Sequence, residues 1–210
     1  MSIKAVIFDI DGVLLDSMSA NLKFFQNLMV KFGYQPPTLE YFMPLFHLTM
    51  LDTIKILTKS TSDEEIKKIW EAGRSGEVPY PTDLLSMPAA APSVIEELAK
   101  KYLLGIMTSR VKNRVYIAQL IALQKYFSAT ISYEDTTNHK PHPEPLLLAA
   151  KQLGVKPDEA VYIGDVENDV QTAHAAGMKA IIYSKISMAS ADANTSDFAK
   201  IPEIILNLEN

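Results

Sequence analysis

The stretch Ile3–Ser17, which reads IKAVIFDIDGVLLDS, indicates the fold of this chain. Its apolar run Ile3–Phe8 is followed by two aspartates, Asp9 and Asp11, and then by Gly12. A run so rich in Val, Ile and Phe predicts a buried strand that ends at the edge of a sheet. In an open α/β sheet, ligands bind at that carboxyl end of the strands.

Two carboxylates one residue apart repel each other. The repulsion is relieved by a cation, by protonation of one carboxylate, or by a substrate that needs both. The alternative interpretation is an acidic strand exit, in which Asp11 and Gly12 simply form a turn.

Length, charge and composition limit the possible classes of protein. The 210 residues suit one domain with an insertion, or two small domains. The net charge of −5, without a basic stripe, argues against a nucleic-acid partner. The absence of cysteine excludes disulfides, a thiol nucleophile and thiolate metal ligands. No segment has the pattern of a signal peptide or the roughly 18 apolar residues of a membrane span, so we expect a cytoplasmic protein without a membrane partner.

After the first strand, the pattern is helical as far as Glu77. Apolar residues at helical spacing predict a first helix that ends at Gly33, and a second helix is predicted around Leu51–Leu57. Ser62 precedes three acidic residues, which is typical of an N-cap and predicts a third helix through Trp70.

Beyond a proline-studded segment at 79–92, strand and helix patterns alternate. The predicted strands are Tyr102–Thr108, Ala129–Ser132, Ala160–Ile163 and Ala180–Tyr183. The predicted helices are Asn113–Leu123, Pro143–Leu153 and Val166–Ala176. Such alternation implies right-handed crossovers and a parallel sheet covered on both faces. We therefore predict an α/β fold: a Rossmann-like parallel sheet core formed by residues 1–16 and 84–210, with a helical domain over 17–83 inserted after the first strand.

Further polar residues follow the other predicted strands or precede helices. They are Thr108, Ser109 and Arg110 after one strand, Asp165 and Asp169 after another, and Lys140 in the loop HKPHPEP. Each also has an ordinary interpretation. Asp165 could cap a helix, Thr108 and Ser109 could form an N-cap pair, and Lys140 could be a solvated surface charge.

Taken together and in this order, the motifs resemble those of the haloacid dehalogenase-like hydrolase superfamily. They are DxDGVLxDS, a Thr-Ser pair after a strand, KPxP, and GDxxxD, and they extend from Ile3 to about Tyr183. The similarity is to the phosphatase branch that carries a helical cap domain after the first motif.

The resemblance implies a role for each motif residue. Asp9 would be the nucleophile that forms an aspartyl-phosphate, and Asp11 the general acid and base. Mg²⁺ would be the cofactor, bound by the carboxylates of Asp9 and Asp165 and the backbone carbonyl of Asp11, with Asp169 as an outer acidic residue. The phosphate would be bound by Thr108, by Lys140 and by backbone N–H groups near Ser109 and Gly12. The implied substrate is a small phosphorylated metabolite, phosphoglycolate-like or sugar-phosphate-like.

Several reaction types share these motifs. Asp11 argues against dehalogenases and phosphonoacetaldehyde hydrolases, whose patterns lack this aspartate. The main alternative is a mutase similar to β-phosphoglucomutase, but residues 46–54, FHLTMLDTI, lack the basic cap residues of those enzymes, and Asn21 stands where they usually have His. Both differences favour a hydrolase. A pyrophosphatase and a non-catalytic phosphoryl-binding protein are further alternatives.

Substrate specificity is expected to depend on polar residues near the cap. The candidates are Ser17, Asn21, His47 and Thr49, although each could instead pack within the cap or lie on the surface. Arg110 could touch substrate, or could be a surface arginine at the start of a helix. The oligomeric state is left open between monomer and homodimer.

Overall fold

A parallel six-stranded sheet organises the computed structural model, which describes residues 2–115 and 118–209. Its strands are β1 Ala5–Phe8, β2 Leu103–Met107, β3 Phe127–Ile131, β4 Ala160–Gly164, β5 Lys179–Tyr183 and β6 Ala193–Thr195. Their order is β3-β2-β1-β4-β5-β6, and all neighbouring pairs are parallel. The strand order reverses between β1 and β4, which is where an open α/β sheet forms its ligand crevice. The predicted α/β class with a Rossmann-like parallel sheet is confirmed.

Helices cover the sheet and form the inserted segment. The inserted helices are α1 Met18–Lys31, α2 Leu39–Phe42, α3 Met50–Thr58 and α4 Asp63–Arg74. The others are α5 Ala91–Ala99, α6 Ala118–Ile121, α7 Glu144–Leu153, α8 Glu167–Ala175 and α9 Ile201–Glu209. None of the helices in the described residues is long and apolar enough to cross a membrane.

Alternate residues of β1 face opposite sides of the sheet. Val6 and Phe8 belong to an apolar cluster with residues of α5 and α9, whereas Ala5 and Ile7 pack with residues of α7 and α8. All four are fully buried. Burial of a side chain such as Phe8 contributes about 1.5–3 kcal/mol to stability, so β1 is fixed from both faces. The strand is therefore a rigid support for the aspartates that follow it.

The inserted helices have an apolar cluster of their own. Phe24, Leu28, Ile54 and Ile69 are fully or almost fully buried within it. The Ser62 hydroxyl accepts a hydrogen bond from the Glu65 backbone N–H at 3.3 Å, as the predicted N-cap requires.

The chain leaves and returns to the sheet at adjacent points. Asp16 and Ser86 form an antiparallel bridge, with N–H to carbonyl distances of 2.8 and 3.3 Å. Because this bridge joins the two connecting segments, the helices between them stand directly beside the carboxyl end of β1.

The predicted elements lie within a few residues of the observed ones, with some differences. Residues 116–117 of the predicted helix Asn113–Leu123 lie outside the described residues. On either side of them are a 3-10 turn, Lys112–Arg114, and the short helix α6. Four elements, α2, α5, β6 and α9, were not predicted from the sequence. β6 has three residues, Ala-Asn-Thr, too few for an apolar alternation to be recognised.

Candidate active site

The register between β1 and β4 brings two aspartates together. Phe8 pairs with Ile163, and the Asp9 N–H donates to the Ile163 carbonyl at 2.9 Å. Asp165 follows the last residue of β4. Asp9 and Asp165, which are distant in sequence, therefore lie side by side where the strand order reverses.

Two glycines make this approach possible. Gly12 has φ of +77°, and a Cβ atom on it would lie 1.9 Å from Oδ2 of Asp165. A Cβ on Gly164 would lie 2.3 Å from the Cβ of Asp169. Such distances are far below van der Waals contact, so both positions require glycine.

Lys140 connects two of the carboxylates. Its Nζ donates to Oδ2 of Asp9 at 2.5 Å and to Oδ1 of Asp169 at 2.8 Å. The other oxygen of Asp169 accepts from the backbone N–H groups of Asp165 and Val166 at 2.9 and 3.2 Å. Asp169 is thus fully engaged, and it fixes both Lys140 and the start of α8. Lys140 is not a surface charge.

Burial and mutual repulsion shift the pKa values of these groups. Burial, together with the charge of Asp169, raises the pKa of Asp9 to about 6 even though Lys140 opposes the shift. Burial and the charges of Asp169 and Asp9 raise the pKa of Asp165 to about 9. Burial alone would raise the pKa of Asp169, but Lys140 and the two backbone donors hold it below its usual value. The cluster holds more negative charge than one lysine can balance.

This imbalance is what a cation site requires. Asp9, Asp165 and Asp169 each place a carboxylate oxygen within 4.8 Å of the others. Oδ1 of Asp165 is buried and has no hydrogen-bond partner within residues 2–115 and 118–209. A buried oxygen without a partner is costly, and a cation would satisfy it. Each oxygen of Asp169 accepts two hydrogen bonds, whereas each oxygen of Asp9 accepts one. Asp9 and Asp165 are therefore the residues that fit a hard, oxygen-binding ion such as Mg²⁺.

Asp11 lies beside this cluster but has different partners. Its carboxylate accepts from Arg110 Nε at 2.8 Å and from Arg110 Nη2 at 2.7 Å. Ser17 Oγ also donates to it, and Asn21 Nδ2 does so at 3.3 Å. Burial would raise the pKa of Asp11, but Arg110 and these donors hold it below its usual value. Ser17 and Asn21 therefore contact the second aspartate.

The surface interpretation of Arg110 is wrong. The residue is 8% exposed. Its guanidinium forms an ion pair with Asp11 and lies 5.3 Å from the ring centre of Tyr80. An arginine beside a partly buried carboxylate is drawn inward because the pair replaces the hydration of both charges.

Thr108 and Ser109 follow β2 on the other side of β1. Thr108 is 3% exposed, and its hydroxyl accepts from the Arg110 N–H at 3.2 Å. Ser109 lines the cleft that also contains Asp9 and Lys140. Of the predicted phosphate-binding residues, Ser109 and Lys140 thus line one cleft with the predicted nucleophile, whereas Thr108 and Gly12 do not line it.

The inserted helices form the opposite wall. The cleft has about 80 Å³ of solvent-accessible volume, and from this side it is lined by Asn21, Phe24, Phe25, Phe46, His47, Leu48 and Met50. Nδ1 of His47 is 3.8 Å from Oδ2 of Asp165. Thr49 does not line the cleft; it caps α3, where its hydroxyl accepts from the Asp52 N–H at 3.1 Å.

Two further residues that line the cleft, Tyr80 and Arg114, were not predicted from the sequence. The Tyr80 hydroxyl donates to Oδ1 of Asn21 at 2.9 Å and accepts from Nη2 of Arg110 at 3.2 Å. These contacts join segments about 30 and 59 residues apart in sequence. No local sequence pattern predicts such a contact. The prolines around Tyr80 indicate only that the chain returns to the core in this segment.

Comparison with known proteins assigns the family. The profile of the haloacid dehalogenase-like hydrolases matches residues 6–183. Among curated proteins, the pyrophosphatase PpaX of Bacillus cereus is 27% identical over 216 aligned residues, which cover 100% of this chain and 98% of the relative.

Solved structures agree with this assignment. A HAD-superfamily hydrolase of subfamily IA from Geobacter sulfurreducens is 31% identical with a TM-score of 0.72, covering 97% of this chain and 96% of that one. A Bacteroides fragilis protein assigned to the haloacid dehalogenase-like hydrolases is 25% identical with a TM-score of 0.85, and the match covers 95% of this chain and 100% of that one. The chain belongs to the haloacid dehalogenase-like hydrolase family and is an enzyme of that family.

Proposed function

We propose that this enzyme is a Mg²⁺-dependent phosphatase that hydrolyses a small phosphorylated metabolite through an aspartyl-phosphate. The observation that carries the proposal is the arrangement around Asp9. One of its carboxylate oxygens is bound by Lys140, and beside it Asp165 presents a buried oxygen without a partner. A nucleophile, a fixed positive charge and a cation site therefore meet at one point.

The proposed division of labour follows from these contacts. Asp9 attacks phosphorus, and the P–O bond to the leaving group breaks. Asp11 gives its proton to the leaving oxygen, then removes a proton from the water that attacks the phosphoryl-aspartate and regenerates Asp9. Lys140, Thr108 and the backbone near Ser109 bind the phosphoryl oxygens. Mg²⁺ bound by Asp9 and Asp165 would supply positive charge that offsets repulsion between the carboxylates and the phosphate.

The proposed domain boundaries are a core of residues 1–16 and 84–210 and a cap of 17–83. The separate apolar cluster of the inserted helices and the Asp16–Ser86 bridge support this division. The cap forms one wall of the cleft, so it would contact the part of the substrate that leaves. The cleft, with about 80 Å³ of solvent-accessible volume, favours a small substrate.

The B. cereus relative is named a pyrophosphatase, so a diphosphate belongs among the candidate substrates. A sugar-phosphate mutase remains the alternative. Phe46 and Met50 line the cleft in the segment where the sequence lacks basic residues, which favours hydrolysis over a second phosphate contact from the cap.

The experiment is phosphate release from a panel of substrates, with and without Mg²⁺. The panel includes phenyl phosphate, phosphoglycolate, hexose and pentose phosphates, nucleotides, pyrophosphate and β-glucose 1-phosphate. We expect Mg²⁺-dependent release that Asp9→Asn lowers by about three orders of magnitude with an unchanged melting temperature. Full activity in Asp9→Asn would overturn the assignment. Conversion of β-glucose 1-phosphate without phosphate release, dependent on a bisphosphate, would identify the mutase instead.

A further inference from the structure

Arg114 is a cleft residue whose positive charge has no partner of opposite sign among the residues that the structure describes. Its guanidinium carbon lies 3.8 Å from the ring centre of Phe24 and 5.1 Å from that of Tyr80. Its Nη2 donates to the Gly73 carbonyl. Within the described part of the chain, no carboxylate lies within ion-pair distance of it.

The surroundings of Arg114 disfavour its charge. Burial and the neighbouring Arg110 lower the pKa of Arg114 to about 10. Asp11 balances Arg110, but nothing comparable balances Arg114. Two aromatic faces hold the guanidinium in place, which reduces the side-chain entropy lost when it binds an anion.

Arg114 lines the same cleft as Asp9 and Lys140, so any anion that it binds is part of the ligand of that cleft. We propose that Arg114 forms a second anion subsite, and that the substrate carries an acidic group in addition to the phosphoryl group that is cleaved. The inference rests on the proposed function and specifies its substrate class.

The chemistry of the subsite selects phosphate or carboxylate as the second group. A guanidinium offers paired N–H donors that match either one. A solvent-accessible volume of about 80 Å³ favours a substrate whose two acidic groups are separated by few bonds. Diphosphates and phosphorylated short carboxylic acids have this form, whereas esters of neutral alcohols lack the second charge.

The subsite comes from the core and not from the cap. The segment 46–54 was the place where sequence reasoning sought basic residues for a second acidic group, and none is present there. Arg114 instead belongs to the core segment that follows β2, and it lines the cleft.

Arg114 also joins core and cap through Gly73 and Phe24, so a purely connecting role must be separated from anion binding. The test compares Arg114→Met with wild type on pyrophosphate, on phosphoglycolate and on phenyl phosphate. We expect kcat/KM for one or both doubly acidic substrates to fall about 10- to 100-fold, the range of a charge-assisted hydrogen bond, with less than about threefold change for phenyl phosphate. Pyrophosphate and phosphoglycolate separate phosphate from carboxylate as the second group. An equal loss on all three substrates would assign Arg114 a connecting role and overturn the proposal.

Arg74→Met is the matched control. Arg74 also stacks on an aromatic residue of the inserted helices, with its guanidinium carbon 5.0 Å from the Trp70 ring centre, but it does not line the cleft. Its removal should leave the ratio between doubly acidic and simple substrates unchanged.

A binding measurement on the unmodified enzyme keeps the test independent of folding and of turnover. By calorimetry with Mg²⁺, methylenediphosphonate should bind at least about tenfold more tightly than methylphosphonate. Equal affinities would overturn the second subsite. The proposed phosphatase activity would still stand if phenyl phosphate were hydrolysed in an Asp9-dependent way.

Discussion

Arg110 binds Asp11 through two hydrogen bonds, while Asp9, two residues earlier, is bound by Lys140. The two aspartates therefore have separate cations. The pKa of Asp9 is raised by burial to about 6, whereas that of Asp11 is held below its usual value. Environments that separate the pKa values of two carboxyl groups allow them different chemical roles. Because Asp11 is kept ionised in the free enzyme, its proposed role as an acid requires the phosphoryl group to raise its pKa when substrate binds. A divalent cation on Asp9 would lower its pKa and leave it ionised as a nucleophile.

Arg110→Met should change the pH dependence of the reaction. Removal of the guanidinium takes away a positive charge and two hydrogen bonds, so the pKa of Asp11 rises. If Asp11 must be protonated to assist the leaving group, the limb of kcat/KM on the high-pH side is set by its lowered pKa, and that limb should move to higher pH in the variant. The measurement is the pH profile for phenyl phosphate, with 4-nitrophenyl phosphate, a better leaving group, expected to show a smaller shift.

Arg110→Lys serves as the control, because it keeps the charge and loses the paired geometry. Its profile should lie between those of wild type and Arg110→Met. A high-pH limb at the same position in all three proteins would show that Asp11 is not the group that titrates.

Gly12→Ala should abolish most activity, since a methyl group there would occupy the position of the Asp165 carboxylate. Gly33→Ala is the matched control variant. Gly33 has φ of +79°, nearly the same as that of Gly12, but its added Cβ would meet nothing within 4 Å. Both variants should lose about 1 kcal/mol of unfolding free energy from backbone strain. Only Gly12→Ala should also lose Mg²⁺ affinity and turnover, and comparable activity in the two variants would contradict the packing argument.

The sequence predicted the parts of this site that depend on local pattern. A strand followed by a carboxylate, as at Asp9 and Asp165, can be recognised in the sequence because the apolar run and the polar residue after it are adjacent in the chain. The parallel sheet then brings those exits to one edge, and this explains why the predicted catalytic residues meet.

The rest depended on tertiary contacts between distant segments. The role of Arg110 was missed because its partner Asp11 is about 99 residues away. Arg114 was missed because its environment is made by Phe24 and Tyr80, which belong to other segments. Thr49 was expected near the substrate from its position in the cap segment, but its hydroxyl serves the first turn of α3. Local sequence does not distinguish a residue that caps a helix from one that lines the cleft.

Asp165→Asn should stabilise the metal-free enzyme at high pH. The pKa of Asp165 is raised from 3.8 to about 9, so between these values the unfolded chain loses a proton that the folded protein retains. Wild-type stability therefore falls as pH rises from about 4 to about 9. Asparagine does not titrate and removes this loss. We expect the melting temperature of Asp165→Asn in EDTA to exceed that of wild type by several degrees at pH 8, and by much less at pH 5.

Mg²⁺ should reverse the order of the melting temperatures of wild type and Asp165→Asn. Binding requires Asp165 to be ionised, so the cation displaces its proton and its apparent affinity should rise with pH between about 6 and 9. Wild type should gain melting temperature on addition of Mg²⁺, and Asp165→Asn should gain little. An equal gain in both proteins would move the cation site away from Asp165.

His47 and Thr49 form a matched pair for the proposed cap specificity. His47 lines the cleft, and burial holds its pKa below the usual value, so at neutral pH it offers a hydrogen bond and not a charge. His47→Ala should therefore change the ranking of substrates, measured as kcat/KM across the panel, while activity on phenyl phosphate changes less. Thr49→Ala should lose about 1 kcal/mol of unfolding free energy because α3 loses its N-cap, and should keep the wild-type ranking. If Thr49→Ala altered the ranking as much as His47→Ala, the effect would come from displacement of α3, and His47 would have no direct part in recognising the leaving group.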